Sequence, residues 1–311
     1  MKNLALLFAF SLAFAQLSAQ DDLLSMLEGM ESEPEKELVY ATFKSTRIVN
    51  GHSIETPAGG VMQMIISHRF GPVNQGIYDL FGLDQANMRM GLEYGITDWL
   101  CIGAGRSNIQ KTYDGFVKAK FLREGRGKGT SPITLAYLGG MTVATIEWAD
   151  PNRVNYFSSR LNYYHQLLIA RKVTDRLSLQ LMPSMVHRNL VATVAEENDV
   201  FAVGGGGRYK VTGSVAINAE YYHLLPGYTA DNSYNNFSIG VDLETGGHVF
   251  QLMFSNSVGM TENFFIPNSG GPWWDSQTNR IGDVRFGFAI NRVFTVSHKG
   301  KKDKSEAKAE G

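Results

Sequence analysis

The chain has one cysteine, Cys101, and seven histidines, the side chains whose spacing would announce nucleophilic or metal chemistry. A single thiol cannot close an internal disulfide, and Cys101 reads as a small buried side chain in a strand rather than a reactive or metal-binding one. Nowhere do histidine, cysteine, aspartate and glutamate fall at zinc-ligand spacings. The run Gly204-Gly205-Gly206-Gly207-Arg208 lacks the lysine and the serine or threonine of a phosphate loop, and no helical pattern follows it. Glycines that let a wall of strands bend or pack closely are the better reading. No serine, histidine and acid arrangement is legible either. His68 and His187 are each followed by arginine with no serine two places on, His52-Ser53 falls in a connecting segment, and Ser297-His298 lies near the C-terminus. The expectation is a protein that is not an enzyme and holds no metal or cofactor.

Composition narrows the class. Basic and acidic residues number 29 and 30, a net charge of −1, so a nucleic-acid partner is not expected. Glycine is abundant at 33, and 13 tyrosines with 18 phenylalanines suit strands girdled by aromatics better than alternating helices and strands. The first 22 residues, MKNLALLFAFSLAFAQLSAQDD, carry one lysine, an apolar run from Leu4 to Phe14 and small residues at Ala13, Ala15, Ser18 and Ala19. That is the pattern of a cleaved secretory signal peptide. Cleavage after Ala15 fits the small-x-small rule, and cleavage after Ala19, the boundary adopted here, starts the mature chain at Gln20. Beyond it no stretch reaches the roughly 18 apolar residues of a membrane helix, so any membrane span must be made of strands.

The strands that would position a site are visible at a period of two. From Asn87 to Ile96, Met88, Met90, Leu92, Tyr94 and Ile96 share one face, and Asn87, Arg89, Gly91, Glu93 and Gly95 the other. The pattern recurs in twelve segments: 60–69, 87–96, 99–109, 115–122, 133–145, 156–170, 177–189, 200–210, 214–224, 236–244, 248–256 and 283–295. Short connections alternate with mostly longer polar ones. Short turns at one end and long loops at the other are the signature of an outer-membrane barrel whose short end is periplasmic. The predicted fold class is all-β, an antiparallel up-and-down transmembrane barrel of about twelve strands. A soluble β-sandwich shares the alternation, but the one-sided long loops favour the barrel.

Twelve strands place both ends of the chain on the periplasmic side. Residues 39–49, VYATFKSTRIV, also read as strand, but a thirteenth span would put the N-terminus outside. This piece is therefore expected in the lumen or against the periplasmic mouth, pairing only locally. A short amphipathic helix is predicted at 22–30 and an acidic linker at 31–37. The resulting division is a signal peptide at 1–19, a periplasmic or lumen segment at 20–59, the barrel at 60–296 and a charged tail at 297–311.

Several phrases carry a resemblance: HRFG (68–71), IYDLFGLDQ (77–85), MGLEYGITD (90–98), KTYDGF (111–116), RLNYYHQLLIARK (160–172), LSLQLMPSMVHRNL (177–190) and GMTENFFIP (259–267). Over about residues 38–296 the chain resembles a family of outer-membrane β-barrels from Bacteroidetes, a domain of unknown function (DUF5777-like). The resemblance implies location and architecture and brings no catalytic residues.

Function must then be read from the lumen face. Alternation assigns to it Arg89, Glu93, Lys118, Lys120, Arg160, Asn162, Gln166, Gln180, Arg188, Arg208, Glu220, Asp242, Glu244, Asp283 and Arg285. These charges either pair across a narrow barrel and fill it or line a restricted pore for small solutes, favouring anions. Two residues break the lipid face, His165 and Pro183. Proline cannot donate to the ladder, so a bulge or local break is expected at Pro183, one that turns His165 inward or leaves a small pocket. In the loop 259–280, Trp273 and Trp274 would anchor at the outer interface, stack on a sugar, or fold inward as a constriction. The expected partners are outer-membrane lipid and small solutes. The alternative is a closed, porin-like barrel acting as a structural or docking partner for envelope proteins.

Overall fold

The computed structural model describes residues 36–227, 233–267 and 269–297. The expected signal peptide, the helix at 22–30 and nearly all of the tail lie outside the described residues. No helix among the described residues is long and apolar enough to cross a membrane.

Twelve long strands form one closed barrel: β1 (Val61–Pro72), β2 (Ala86–Gly95), β3 (Leu100–Ser107), β4 (Tyr113–Leu122), β5 (Thr134–Val143), β6 (Leu161–Lys172), β7 (Leu177–Arg188), β8 (Asp199–Lys210), β9 (Val215–Leu224), β10 (Asn236–Thr245), β11 (His248–Ser255) and β12 (Arg285–Thr295). Each pairs antiparallel with its neighbours in sequence, and β12 closes on β1 with Ile290 opposite Ile66. Closure leaves no ladder edge exposed to lipid, which is what the bilayer demands of strands.

The alternation read from sequence is the alternation of the wall. In β2, Met88, Met90 and Leu92 are exposed outward, while Arg89 and Glu93 are buried. In β6, His165 and Leu167 face out, while Tyr164, Gln166, Leu168 and Ala170 are buried. Strand ends fall close to expectation with one departure. β6 begins at Leu161 rather than 156, because Phe157–Arg160 fold as a 3-10 turn.

Connections 96–99, 123–133, 173–176, 211–214 and 246–247 lie at one end, with both described ends of the chain. At the other end lie 73–85, 108–112, 144–160, 189–198, the described residues 225–227 and 233–235, and 256–267 with 269–284. At the first end Glu37–Leu38 pairs with Gly125–Arg126, and the chain then turns inward. Ile48 N–H donates to the Gly51 carbonyl at 2.9 Å and Ser53 N–H to the Thr46 carbonyl at 2.9 Å, so residues 46–53 form a tight hairpin. It returns to the same end, where Gly59 N–H meets Asp98 Oδ1 at 2.9 Å and β1 begins.

Candidate functional site: the filled lumen

The interior of this barrel is occupied by its own chain from both ends. Phe43, Ile48, Val49 and Ile54 of the hairpin are buried in one cluster with the wall residues Leu138, Tyr164, Leu168, Met182 and Tyr222 and with Phe265 and Ile266 of the 256–284 loop. Burying each such side chain is worth about 1.5–3 kcal/mol, so this side of the lumen is a packed core. The sequence reading foresaw charge on the inward face and missed this apolar side. The signal was present in Leu138, Leu168 and Met182, inward by alternation but surrounded by apolar neighbours on both faces.

Polar contacts fix the hairpin's position. The carboxylate of Glu220 accepts three consecutive backbone N–H groups, from Val49 (3.1 Å), Asn50 (2.8 Å) and Gly51 (3.1 Å). A side chain at Gly51 would collide with the Tyr222 hydroxyl, so only glycine lets the turn sit this deep. Gln251 donates to the Ile48 carbonyl at 2.7 Å, Gln180 to the His52 carbonyl at 2.7 Å, and Lys118 to the carbonyls of Ser53 (3.1 Å) and Glu55 (2.5 Å). Asn50 is read through its side chain: Arg69 donates to its Oδ1 at 2.5 Å, and its Nδ2 donates to Ser238 at 2.8 Å.

Hairpin and loop meet at Arg47. Its guanidinium lies 3.5 Å from Glu93 on β2 and 3.5 Å from Glu262 in the loop's single helical turn, Glu262–Phe265. His52 Nε2 is 3.7 Å from the same Glu262 carboxylate, and its ring packs edge-on against Phe116. Burial pushes the His52 imidazole well below its ordinary range, and Arg47 and Lys118 reinforce that direction. Burial likewise pushes the Glu262 carboxyl up, opposed by Arg47. The adjacent Ser53 hydroxyl donates to the Ser45 carbonyl at 2.6 Å rather than to His52.

Above this level Arg89 and Asp114 form a buried pair with two hydrogen bonds, of 3.0 and 2.5 Å. Towards the short-turn mouth, Lys120 faces Glu55 at 3.9 Å, Arg208 pairs with Glu244 at 2.7 Å, Lys44 joins Glu244 at 3.0 Å, and Asp242 accepts from Gln251 at 2.7 Å. At the long-loop rim Arg188 pairs with Glu196 and Arg285 with Asp283. Asn162 donates to Thr142, and Gln166 to Ser184. Arg160 is a correction to the sequence reading. Because the turn at 157–160 precedes β6, its guanidinium turns away from the lumen to the loop carbonyls of Ala144 and Ile146 and lies 3.9 Å from the Trp148 ring.

His165 and Pro183 lie on the outer wall. The β6–β7 ladder skips Leu167 and Leu168 opposite Met182 and Pro183 and resumes in the same register. The irregularity is thus a break and not a bulge, and His165 stays outward, its Nδ1 2.5 Å from the Tyr137 hydroxyl. The two residues border an outward depression of about 360 Å³ with Phe201 and Val203. Trp273 donates to the Phe237 carbonyl at 2.7 Å, and Trp274 is exposed in a two-residue ribbon with Ile281. The residues that enter the barrel are Phe265 and Ile266 instead.

Among the described residues a vestibule lies towards each end of the lumen, with packed side chains between them. One vestibule, about 490 Å³ beside Lys44 and Glu244, opens at the short-turn end; the other, about 320 Å³ beside Arg188 and Phe264, opens at the long-loop end. Between them the void beside Arg47, Arg69 and Arg89 is about 20 Å³, room for about one water.

A closed, lipid-faced wall of twelve strands defines a membrane β-barrel of the outer-membrane type. The chain belongs to the family described as a membrane bound beta barrel domain (DUF5777), whose model matches residues 43–294. No curated protein matches the chain in sequence. Among solved structures it is similar to the NanC porin (9% identity, TM-score 0.44, covering 75% of this chain and 98% of that one) and to the KdgM porin (10%, 0.45, 75% and 99%). Outer membrane phospholipase A from Escherichia coli is also similar (11%, 0.38, 74% and 92%). At TM-scores below 0.5 these likenesses say nothing of the lumen or its contents.

Proposed function

We propose that this chain is an outer-membrane barrel closed at rest, with residues 42–54 as its plug, serving the envelope as a structural or docking element. In this reading residues 1–19 are a signal peptide, the short-turn end faces the periplasm, and the parts of residues 20–59 outside the plug, with the tail from 297, are offered to partners there. The observation that carries it is Arg47, buried between Glu93 of the wall and Glu262 of the long loop. One guanidinium ties plug, wall and loop together where an open pore would have to run. No catalytic role is assigned to the lumen.

A second reading, restricted passage of small solutes, is favoured by the plug's connectivity. Both its ends emerge at the short-turn side, so it can withdraw that way without threading the wall. Conductance in planar bilayers separates the two. The full-length protein is expected to be silent, and a variant lacking residues 42–54 to conduct. Steady current from the folded full-length protein would overturn the closed resting state; silence from both would leave the structural role alone.

A further inference from the structure

Six main-chain atoms of the hairpin are held by wall side chains: the N–H groups of Val49, Asn50 and Gly51 by Glu220, the carbonyls of Ile48 and His52 by Gln251 and Gln180, and that of Ser53 by Lys118, which also holds the carbonyl of Glu55 just beyond it. Main-chain groups are common to every sequence. Recognition through side chains is concentrated on Arg47, which reaches Glu93 and Glu262, and on Asn50, which is held by Arg69, Ser238 and Ser255. Gly51 is demanded by the Tyr222 hydroxyl. Nearer the mouth Lys44 meets Glu244 and Ser45 accepts from Asn291, and between Arg47 and Asn50 the side chains of Ile48 and Val49 are buried. The wall's requirements at the tip are therefore a hairpin of the form Arg-x-x-Asn-Gly in which both intervening residues are apolar.

Resting on the reading of residues 42–54 as a removable plug, we propose that the lumen is a peptide-binding site whose resident ligand is the chain's own hairpin. An Arg-x-x-Asn-Gly hairpin from another polypeptide takes its place when the resident one withdraws. The same polar groups that seat the plug, Glu220 and Lys118 above all, are then the receptor's ligand-binding residues. When the plug leaves they exchange these partners for water, and a matching peptide restores the same hydrogen bonds as it displaces that water. In the resting protein the tethered hairpin competes at millimolar effective concentration, so a free peptide at micromolar concentration does not enter.

The test uses the full-length protein in detergent with Gly51→Leu, which cannot seat its own tip, and separately with Ile54→Asp, which removes an apolar anchor while leaving the wall intact. The probes are a fluorescent synthetic peptide of residues 42–56 and a second peptide that keeps Arg-Ile-Val-Asn-Gly within an otherwise unrelated sequence. Fluorescence anisotropy reads binding, independently of any current. Both peptides are expected to bind both variants at least about tenfold more tightly than wild type, because only the variants leave the site vacant. Adding Glu220→Leu to either variant, or replacing the peptide's asparagine with alanine, is expected to abolish that gain. Binding of the native peptide alone would overturn recognition by the common framework, and binding of neither would overturn the site itself. Current from the variants without peptide binding would sink this inference while leaving the plug intact as a reading. Binding without current would do the reverse for solute passage.

Discussion

Glu220 decides whether the hairpin stays seated. Its carboxylate is the acceptor for three N–H groups in an interior otherwise lined at that level by Tyr222, Ile48 and Met182. Each buried donor left without an acceptor costs about 1–3 kcal/mol, so Glu220→Leu removes several kcal/mol from the seated state. Glu220→Gln, which keeps one carbonyl oxygen, is expected to cost less. Trypsin reports the difference, since Arg47 is only 8% exposed when the hairpin is seated. Cleavage after Arg47 should be fast in Glu220→Leu, intermediate in Glu220→Gln and slow in wild type, and equal rates in all three would remove Glu220 from this role.

At the scale of the strand, the wall is governed by which face meets lipid. Leu181, on β7, is 46% exposed and points outward beside Pro183, whereas its neighbour Gln180 is buried and bonded to the hairpin. Arginine on a lipid face near the bilayer midplane costs roughly 2–4 kcal/mol, so Leu181→Arg should destabilise the barrel by that order in urea titrations in lipid vesicles. An effect near zero would mean that this face does not meet hydrocarbon. Strand period and chain topology were legible in the sequence because each depends on neighbours two residues apart. Arg89, Glu93, Lys118 and Glu220 could be placed by counting alone. What could not be read is any contact between segments far apart in the chain: Arg47 with Glu262, Asn50 with Arg69, or Phe265 with Tyr222. Arg160 was misassigned because a single 3-10 turn shifts the start of β6, and with it the direction of the side chain.

At the scale of the molecule, the twelve-stranded ladder contains no residue of the hairpin, and every β1–β12 pair runs between 61 and 295. Wall and contents are therefore separable. A protein lacking residues 42–54 is expected to keep its β circular dichroism signal and to melt at a lower temperature, having lost the burial of Phe43, Ile48, Val49 and Ile54. Loss of the β signal altogether would show that the wall depends on its filling.

The hairpin precedes every strand of the wall, and it runs directly into β1, the strand on which β12 must close. Only residues 55–60 join the hairpin to that strand, at most about 20 Å of extended chain. On its other side the chain is held at the same mouth by the pairing of Glu37–Leu38 with Gly125–Arg126. A hairpin that left the lumen would therefore stay leashed beside the seam, within reach of the opening it came from.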